Sequence, residues 1–475
     1  LGYNDLWFDE ARSLNSSLDI TRSIIQERQA PLYYFLLSKW ITFSGYSEYS
    51  LRLFSAIFSI LGILFIYILG IYIYDKNAAL FSSLILSISP MHIWYAQEAR
   101  KYALFTFIVL VNTYYFLRAV KENKNIFWLV YAFFLILGFY ADYFTFLLLL
   151  VQGLFLICLG EFRSQVKRWL SYVAVSLILF LPWLPILIQQ VQGISQSFWV
   201  PAPSFRDLLI TLENFNLGYN ANHQSYQLSN IFFLPFFFLG LYASKKNRLS
   251  YLIYFLFFSP LIISFLISIT IVPVYLDRLF VPFSAFYYLF LGYGLVRLKP
   301  LIRFICLIPI FILISLSLNN YFINYMPSDL SHHQGTYIKK PVRPLVEFLM
   351  DNYQETDLVA PTHPSAFCLV EGYSEFFYHF KFKNIYYLIL PENQDSYWRH
   401  VIMNLSTSKY YIDMEKEGHR LKFNRVWLIS SSWPRDGTLD ENSVAVREWM
   451  EKNYKRTSER WFDGILVGLY EKDEN

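Results

Sequence analysis

The sequence predicts an α-helical polytopic membrane protein with a C-terminal soluble α/β domain, and three observations predict it. The 475-residue chain is 55% hydrophobic and 20% aromatic but only 16% charged, whereas soluble domains carry about 25% charge. Apolar runs recur from Leu51 to Leu318, each near the roughly 20 residues that cross a hydrocarbon core. After Asn319 the composition becomes that of a water-soluble domain.

The apolar runs are Leu51 to Tyr74, Ala78 to Trp94, Tyr102 to Leu117, Ile126 to Tyr140 and Tyr143 to Leu159, then Trp169 to Ile188, Leu228 to Ala243, Leu249 to Val274, Leu279 to Val296 and Phe304 to Leu318. Alternate loops carry the cations: Lys76; Arg118, Lys121 and Lys124; Arg163, Lys167 and Arg168; Lys245, Lys246 and Arg248; Arg297, Lys299 and Arg303. Cytoplasmic loops are enriched in Lys and Arg, so these loops are expected inside. An even number of crossings then puts residues 1–50 and the tail on the outer side. The chain opens on a polar stretch with no apolar segment to carry it across, which predicts a further transmembrane helix upstream.

Three regions follow: 1–50, an outer loop with juxtamembrane helices and an acidic motif; 51–318, the transmembrane bundle; 319–475, an extracytoplasmic α/β domain. In the first, helical stretches around Asp19 to Glu27 and from Pro31 to Ile41 are too short to span and are expected along the membrane surface; a short helical hairpin in an outer domain is the alternative. In the tail, Val342, Leu345, Val346, Leu349 and Met350 mark one face of an amphipathic helix. Strand-like runs are Leu358 to Ala360, Ile385 to Leu390, Val426 to Ser430 and Ile465 to Tyr470, with Ser443 to Asn453 helical between the last two.

The net charge of +4, with no block of like charges, gives no polynucleotide groove. Cys158 and Cys306 lie in apolar runs and Cys368 stands in the tail, so no disulfide is expected. The eight histidines lack metal-ligand spacing, and His332 and His333 read as surface residues.

Three outer constellations place charge where chemistry on a lipid phosphate needs it. In Trp7-Phe8-Asp9-Glu10 two carboxylates beside aromatic residues can supply a general base; the same pair is also common on any surface. In Tyr95-Ala96-Gln97-Glu98-Ala99-Arg100-Lys101-Tyr102 four ionic or amide side chains stand between two spans. Charge at mid-membrane costs about 2.5 to 3.5 kcal/mol on insertion scales, so charge at a helix mouth has a partner or a task. Arg100 and Lys101 suit a phosphate, the first as a fork and the second as a point charge; snorkelling to the interface is the competing explanation. In Tyr275-Leu276-Asp277-Arg278-Leu279, Arg278 can bring another cation, with Asp277 as its pair. Asp142 reads as a lone carboxylate at an outer junction, in an acceptor or structural contact.

These motifs, in this order, resemble the family-39-like glycosyltransferases of the GT-C class, related to protein O-mannosyltransferases and bacterial aminoarabinose transferases. The resemblance covers nearly the whole membrane part. It rests on Trp7-Phe8-Asp9-Glu10, Ala30-Pro31-Leu32-Tyr33-Tyr34, Ser47-Glu48 with Leu51-Arg52-Leu53, Ser89-Pro90 with Tyr95 to Tyr102, and Phe198-Trp199-Val200-Pro201 with Pro203-Ser204. The Gln-Glu-Ala-Arg-x-Tyr stretch is the most diagnostic.

The resemblance implies a GT-C-type fold with eleven or more crossings and an inverting hexosyl or pentosyl transfer from a polyprenyl-phosphate sugar to a lipid, glycan or protein acceptor. It implies Asp9 as catalytic base with Glu10 beside it, and Arg100 as a donor phosphate ligand with Lys101 and Arg278 in support. Tyr95, Gln97, Glu98, Tyr102 and Asp142 are the expected donor or acceptor pocket. Where the family has an Arg-Tyr pair this chain has Arg278-Leu279; where relatives show Thr-His it has Ala141-Asp142; where many have His before Pro-Pro-Leu-Tyr it has Gln29-Ala30-Pro31. These departures bear on acceptor identity more than on reaction class. No cofactor is required, although Glu98 or Glu10 suits a divalent ion. The rival from another class is a transporter or flippase of lipid-linked sugars, which needs no acidic pair and commonly shows internal symmetry between halves; no such halves are evident.

Overall fold

The protein, as a computed structural model, is described over residues 1–2, 4–18, 29–196, 200–327, 332, 339, 341–389, 411–414, 421–431 and 439–472. The expected helix from Asp19 to Glu27 lies outside these residues, as do Phe198 and Trp199. The chain divides into two compact units, one of Leu1–Gln26, Ile41–Leu51 and Lys339–Asn475, the other of Glu27–Trp40 and Arg52–Ile338.

The larger unit is helical. After α1 (Phe8–Leu18) of the other unit come α2 (Leu32–Ser44) and α3 (Glu48–Ile73), each with its larger part here, then α4 (Lys76–Ile88), α5 (Pro90–Ala96), α6 (Tyr102–Glu122), α7 (Asn125–Ala141) and α8 (Thr145–Cys158). The series continues with α9 (Val166–Phe180), α10 (Leu184–Gln196), α11 (Phe205–Leu217), α12 (His223–Ser244), α13 (Ser250–Thr270), α14 (Val281–Val296) and α15 (Pro300–Phe322). Every apolar run read from the sequence is helical over most of its length, although Ala78 to Trp94 is broken at Ser89 and Leu249 to Val274 leaves the helix after Thr270. Among the described residues seven helical stretches are long and apolar enough to cross a membrane, or up to eight if α4 and α5, bent by 61°, form one broken span; α7 and α8 are shorter apolar helices.

Local chemistry sets the ends that matter. Asp75 accepts hydrogen bonds from the Asn77 and Ala78 amides and starts α4. Asn123 ends α6 in the left-handed region at φ 52°, which its short polar side chain tolerates. Between α4 and α5, Ser89 is extended, its hydroxyl caps His92, and Pro90 occupies the first turn of α5. A proline has no N–H to continue α4 but suits a new first turn. The break holds its angle because the Ser89 hydroxyl lies 2.8 Å from Tyr288 of α14.

In the smaller unit the tail forms β1 (Leu358–Pro361), β2 (Tyr387–Ile389), β3 (Tyr411–Asp413), β4 (Arg425–Ser431), β5 (Lys455–Phe462) and β6 (Ile465–Glu471), with α16 (Arg343–Asn352), α17 (Pro364–Gly372) and α18 (Glu441–Asn453). One sheet has the order β1-β4-β6-β5, and β2 pairs with β3. β1 is parallel to β4, and β6 is antiparallel to both β4 and β5. Strand side chains alternate: Leu358, Ala360, Val426 and Leu428 join a core with Val446 and Met450 of α18, while Trp427 on the other face meets Phe348 of α16 at 5.7 Å between ring centroids. Sequence reading missed two strands, the three-residue β3 and the longer β5. β5 is almost wholly exposed, and its charged residues read as loop while keeping a sheet edge from pairing with other chains.

Helices in the larger unit approach closely where glycine removes a side chain, as small residues permit in membrane bundles. A methyl group at Gly240 of α12 would overlap the Phe290 carbonyl oxygen of α14, and one at Gly294 would overlap that of Phe236. Gly240→Ala is therefore expected to destabilise by about 1 to 3 kcal/mol, the scale of overpacking, seen as a lower unfolding midpoint in detergent. An unchanged midpoint would mean that α12 and α14 do not pack this way.

Candidate active site

The acidic motif sits at the start of α1. Glu10 and Ala11 donate their amides to the Trp7 carbonyl oxygen, both at 3.0 Å, and the Glu10 carboxylate accepts the Trp7 amide at 3.3 Å. This is the reach-back half of a capping box, and carboxylates suit the positive end of a helix. The two carboxylates then diverge. Glu10 is fully buried and pairs with Lys339 at 3.2 Å, whereas Asp9 is partly exposed. Ser13 binds the Asp9 carbonyl oxygen at 3.0 Å, which leaves the Asp9 carboxylate outside that bond. Of the pair, Asp9 is the more exposed.

In the larger unit Gln97 to Lys101 form the tight turn from α5 into α6. Ala99 is buried, as are Glu98 and Arg100, and the Arg100 amide donates to the Glu98 carbonyl oxygen at 2.7 Å. The Arg100 guanidinium reaches Tyr34 at 3.5 Å, and that tyrosine donates to Gln29 at 2.8 Å. The Arg100 carbonyl oxygen accepts from Ser55 at 3.3 Å, and Ser55 lies 3.0 Å from the Tyr33 hydroxyl. Pro31 precedes α2 and its two tyrosines hold Arg100, which gives the Ala-Pro-Leu-Tyr-Tyr stretch its physical purpose. The sequence motif includes these tyrosines but reveals neither their role nor the part of Ser55.

Asp142 is not a lone carboxylate: it forms an ion pair with Lys101 at 2.7 Å, with both side chains about nine-tenths buried. It caps α7 and accepts the Phe144 amide at 2.9 Å, which fixes its direction. Gln97 is half-buried and Tyr95 and Tyr102 are buried, their rings edge to face at 4.6 Å. Tyr95 shares a 2.7 Å hydrogen bond with Tyr219. Burial, and then Asp277, raises the Tyr219 pKa, so its phenol stays neutral.

Arg278 lies in a short 3-10 turn, Asp277–Phe280, ahead of α14. Asp277 accepts the Arg278 backbone amide at 2.7 Å and the side-chain amide of Asn214. The same Asn214 nitrogen donates to the His332 carbonyl oxygen at 3.1 Å. His332 is not a surface residue: it is buried, 2.7 Å from Glu213, and stacked on Tyr226 with centroids 3.9 Å apart. An apolar neighbourhood demands a partner for each polar group, and α11 supplies them. The signal was present in Glu213-Asn214-Phe215-Asn216, three polar residues around one aromatic inside a helix, between Leu212 and Leu217. His333 lies outside the described residues.

The Lys101–Asp142 pair is expected to couple by about 1 kcal/mol or more in a double-mutant cycle of Lys101→Met and Asp142→Asn, read from unfolding midpoints in detergent. A coupling below about 0.3 kcal/mol would be additivity and would refute the pair.

Residues 28–186 match the family model described as dolichyl-phosphate-mannose-protein mannosyltransferase. That stretch includes Gln97 to Lys101 and Asp142, while Asp9, Glu10 and Arg278 fall outside it. Among solved structures, ArnT from Cupriavidus metallidurans in the apo state is similar at 12% identity and TM-score 0.67, over 99% of this chain and 94% of that one. ArnT of the same organism bound to undecaprenyl phosphate is similar at 13% identity and TM-score 0.63, over 99% and 95%. An Archaeoglobus fulgidus oligosaccharyltransferase tethered to an acceptor peptide is similar at 13% identity and TM-score 0.52, over 100% and 70%. No curated protein sequence matches the chain. At these identities the likeness is one of fold, and the fold is that of the GT-C glycosyltransferases.

Proposed function

We propose that this chain, an integral membrane protein with the GT-C glycosyltransferase fold, transfers a hexosyl or pentosyl unit from a polyprenyl-phosphate donor to an acceptor on the extracytoplasmic face. The observation that carries the reading is the turn from α5 into α6, where Arg100 and Lys101 are adjacent and held by Tyr34 and Asp142. That turn lies within the stretch matching the mannosyltransferase family model, on a fold shared with ArnT, which is known bound to undecaprenyl phosphate. The loop charges support the orientation, since the cation-rich loops face the cytoplasm by the positive-inside rule.

The chemistry is a single displacement. Asp9 takes the proton from the acceptor hydroxyl, whose oxygen attacks the anomeric carbon; the bond from that carbon to the phosphate oxygen breaks, and polyprenyl phosphate leaves with inversion at carbon. Negative charge grows on the leaving phosphate. Arg100, with Lys101 and Arg278, binds that charge more tightly in the transition state than in the ground state, which is what accelerates the step. Held side chains do this at lower cost than water, because they need not reorganise as the reaction proceeds. The acceptor, whether lipid, glycan or protein, meets Asp9 through its hydroxyl.

The test is turnover of purified full-length protein with a panel of polyprenyl-phosphate hexoses and pentoses, following release of polyprenyl phosphate by mass spectrometry. Asp9→Asn is expected to lower turnover by about 100- to 10,000-fold, the scale for a general base, with α-helical content unchanged. Arg100→Ala is expected to lower it by about 100-fold or more, as for loss of a group that stabilises developing charge. Near-normal turnover in Asp9→Asn refutes the base, and near-normal turnover in Arg100→Ala refutes the phosphate ligand.

A further inference from the structure

Residues 5–10 are tied to the segment between Lys339 and Tyr373 at points on both sides of Asp9. The Asp5 carboxylate accepts the backbone amides of Val342 and Arg343 at 2.6 and 2.8 Å. Those are the amides of the N-cap residue and of the first residue of α16, which have no partner within the helix, so an aspartate from elsewhere in the chain acts as the cap. The Arg343 guanidinium returns to Asp5 at 3.2 Å and also pairs with Glu48. Tyr373 joins the cluster through two bonds: its hydroxyl donates to Glu48 at 3.1 Å and accepts the Leu6 amide. On the far side of Asp9, Lys339 and Glu10 form an ion pair in which both side chains are buried.

We infer that Lys339, Arg343 and Tyr373 are positioning residues for the reaction, forming a clamp by which the C-terminal segment of the smaller unit fixes the start of α1 in that same unit and so the direction of the Asp9 carboxylate. The inference rests on the assignment of Asp9 as base. Its physical basis is the cost of leaving any of these groups alone. Glu10 and Glu48 are almost wholly buried, and a buried carboxylate without its cation is strongly destabilised. Moving residues 5–10 away would strand Glu10, Asp5 and the α16 amides together. Tyr373 can serve as donor and acceptor at once only as a neutral phenol. Burial, followed by the charges of Asp5 and Glu48, raises its pKa and keeps it so.

A half-exposed arginine would contribute little as an isolated surface pair. Arg343 differs in joining two carboxylates that are themselves buried, so the planar fork matters as much as the charge. Lysine at this position keeps the charge and loses the fork. The clamp also gives the tail a task in the reaction that is separate from any contact with acceptor.

The test compares wild type, Arg343→Ala, Arg343→Lys and Tyr373→Phe in the full-length protein by two readings: amide hydrogen exchange over residues 5–12, with β4 and β6 as reference, and kcat and KM for the polyprenyl-phosphate sugar. The expected result is faster exchange over 5–12 with β4 and β6 unchanged, and kcat lower by about 10- to 100-fold, the scale for a misplaced catalytic group. KM for the lipid donor should stay within about 3-fold, and Arg343→Lys should recover part of the kcat loss. Unchanged exchange over 5–12 overturns the clamp. So does a kcat within about 2-fold of wild type while Asp9→Asn is inactive. If Arg343→Ala also loosens β4 and β6, Tyr373→Phe decides by the same two readings. The exchange reading judges the clamp without reference to chemistry, while normal turnover in Asp9→Asn fails the base assignment whatever the exchange shows.

Discussion

A charge removed from water must meet an opposite charge or a set of hydrogen bonds, and this requirement organises both units of the chain. Lys101 meets Asp142, Lys339 meets Glu10, and Glu213 meets His332, each across no more than 3.2 Å. Leaving such a group alone costs far more than an average hydrogen bond contributes. The pairs are therefore constraints on geometry more than sources of net stability. Each joins residues distant in sequence, which fixes turns and helix mouths that apolar packing alone would leave free to slide.

The same requirement explains why the charged turn sits where α4 is interrupted. Ser89 and Pro90 end one helix and begin the next at an angle of 61°, and the chain then has only Gln97 to Lys101 in which to turn into α6. Backbone groups in that turn satisfy one another, as in the Arg100 amide to Glu98 carbonyl contact. Tyr34 meets the Arg100 guanidinium, and Ser55, itself beside Tyr33, donates to the Arg100 carbonyl oxygen. Aromatic residues suit this task because each brings an apolar body for the bundle and a polar tip for the turn. In the proposed reaction a basic pair held in this way is arranged before the substrate arrives, which is the condition for electrostatic stabilisation of a transition state.

Much of the fold was legible because its rules are local or periodic. Long apolar runs gave the helices, and Ser89-Pro90 with Gln97 to Tyr102 marked the charged turn. Val342, Leu345, Val346 and Leu349 gave α16 through their spacing, and all but the first lie on that helix. What escaped depends on contacts across the chain. His332 read as exposed because no adjacent residue reveals that Glu213 and Tyr226 will enclose it. Asp142 read as solitary because its partner lies far back in the sequence. Strand β5 escaped for a different reason, since an exposed edge needs no apolar alternation. The divergence of Asp9 from Glu10 was equally hidden, being set by Lys339.

The central claim is that the basic turn after α5 is a site for the phosphate of a long-chain lipid. The measurement that addresses it most directly is native mass spectrometry of the purified chain titrated with polyprenyl phosphate and, separately, with the uncharged polyprenol of the same length, in wild type and in Arg100→Ala. The account predicts that wild type prefers the phosphate by about 10-fold or more, equivalent to 1.4 kcal/mol, and that Arg100→Ala loses most of the preference. Equal binding of the two lipids by wild type, or an undiminished preference in Arg100→Ala, would contradict it.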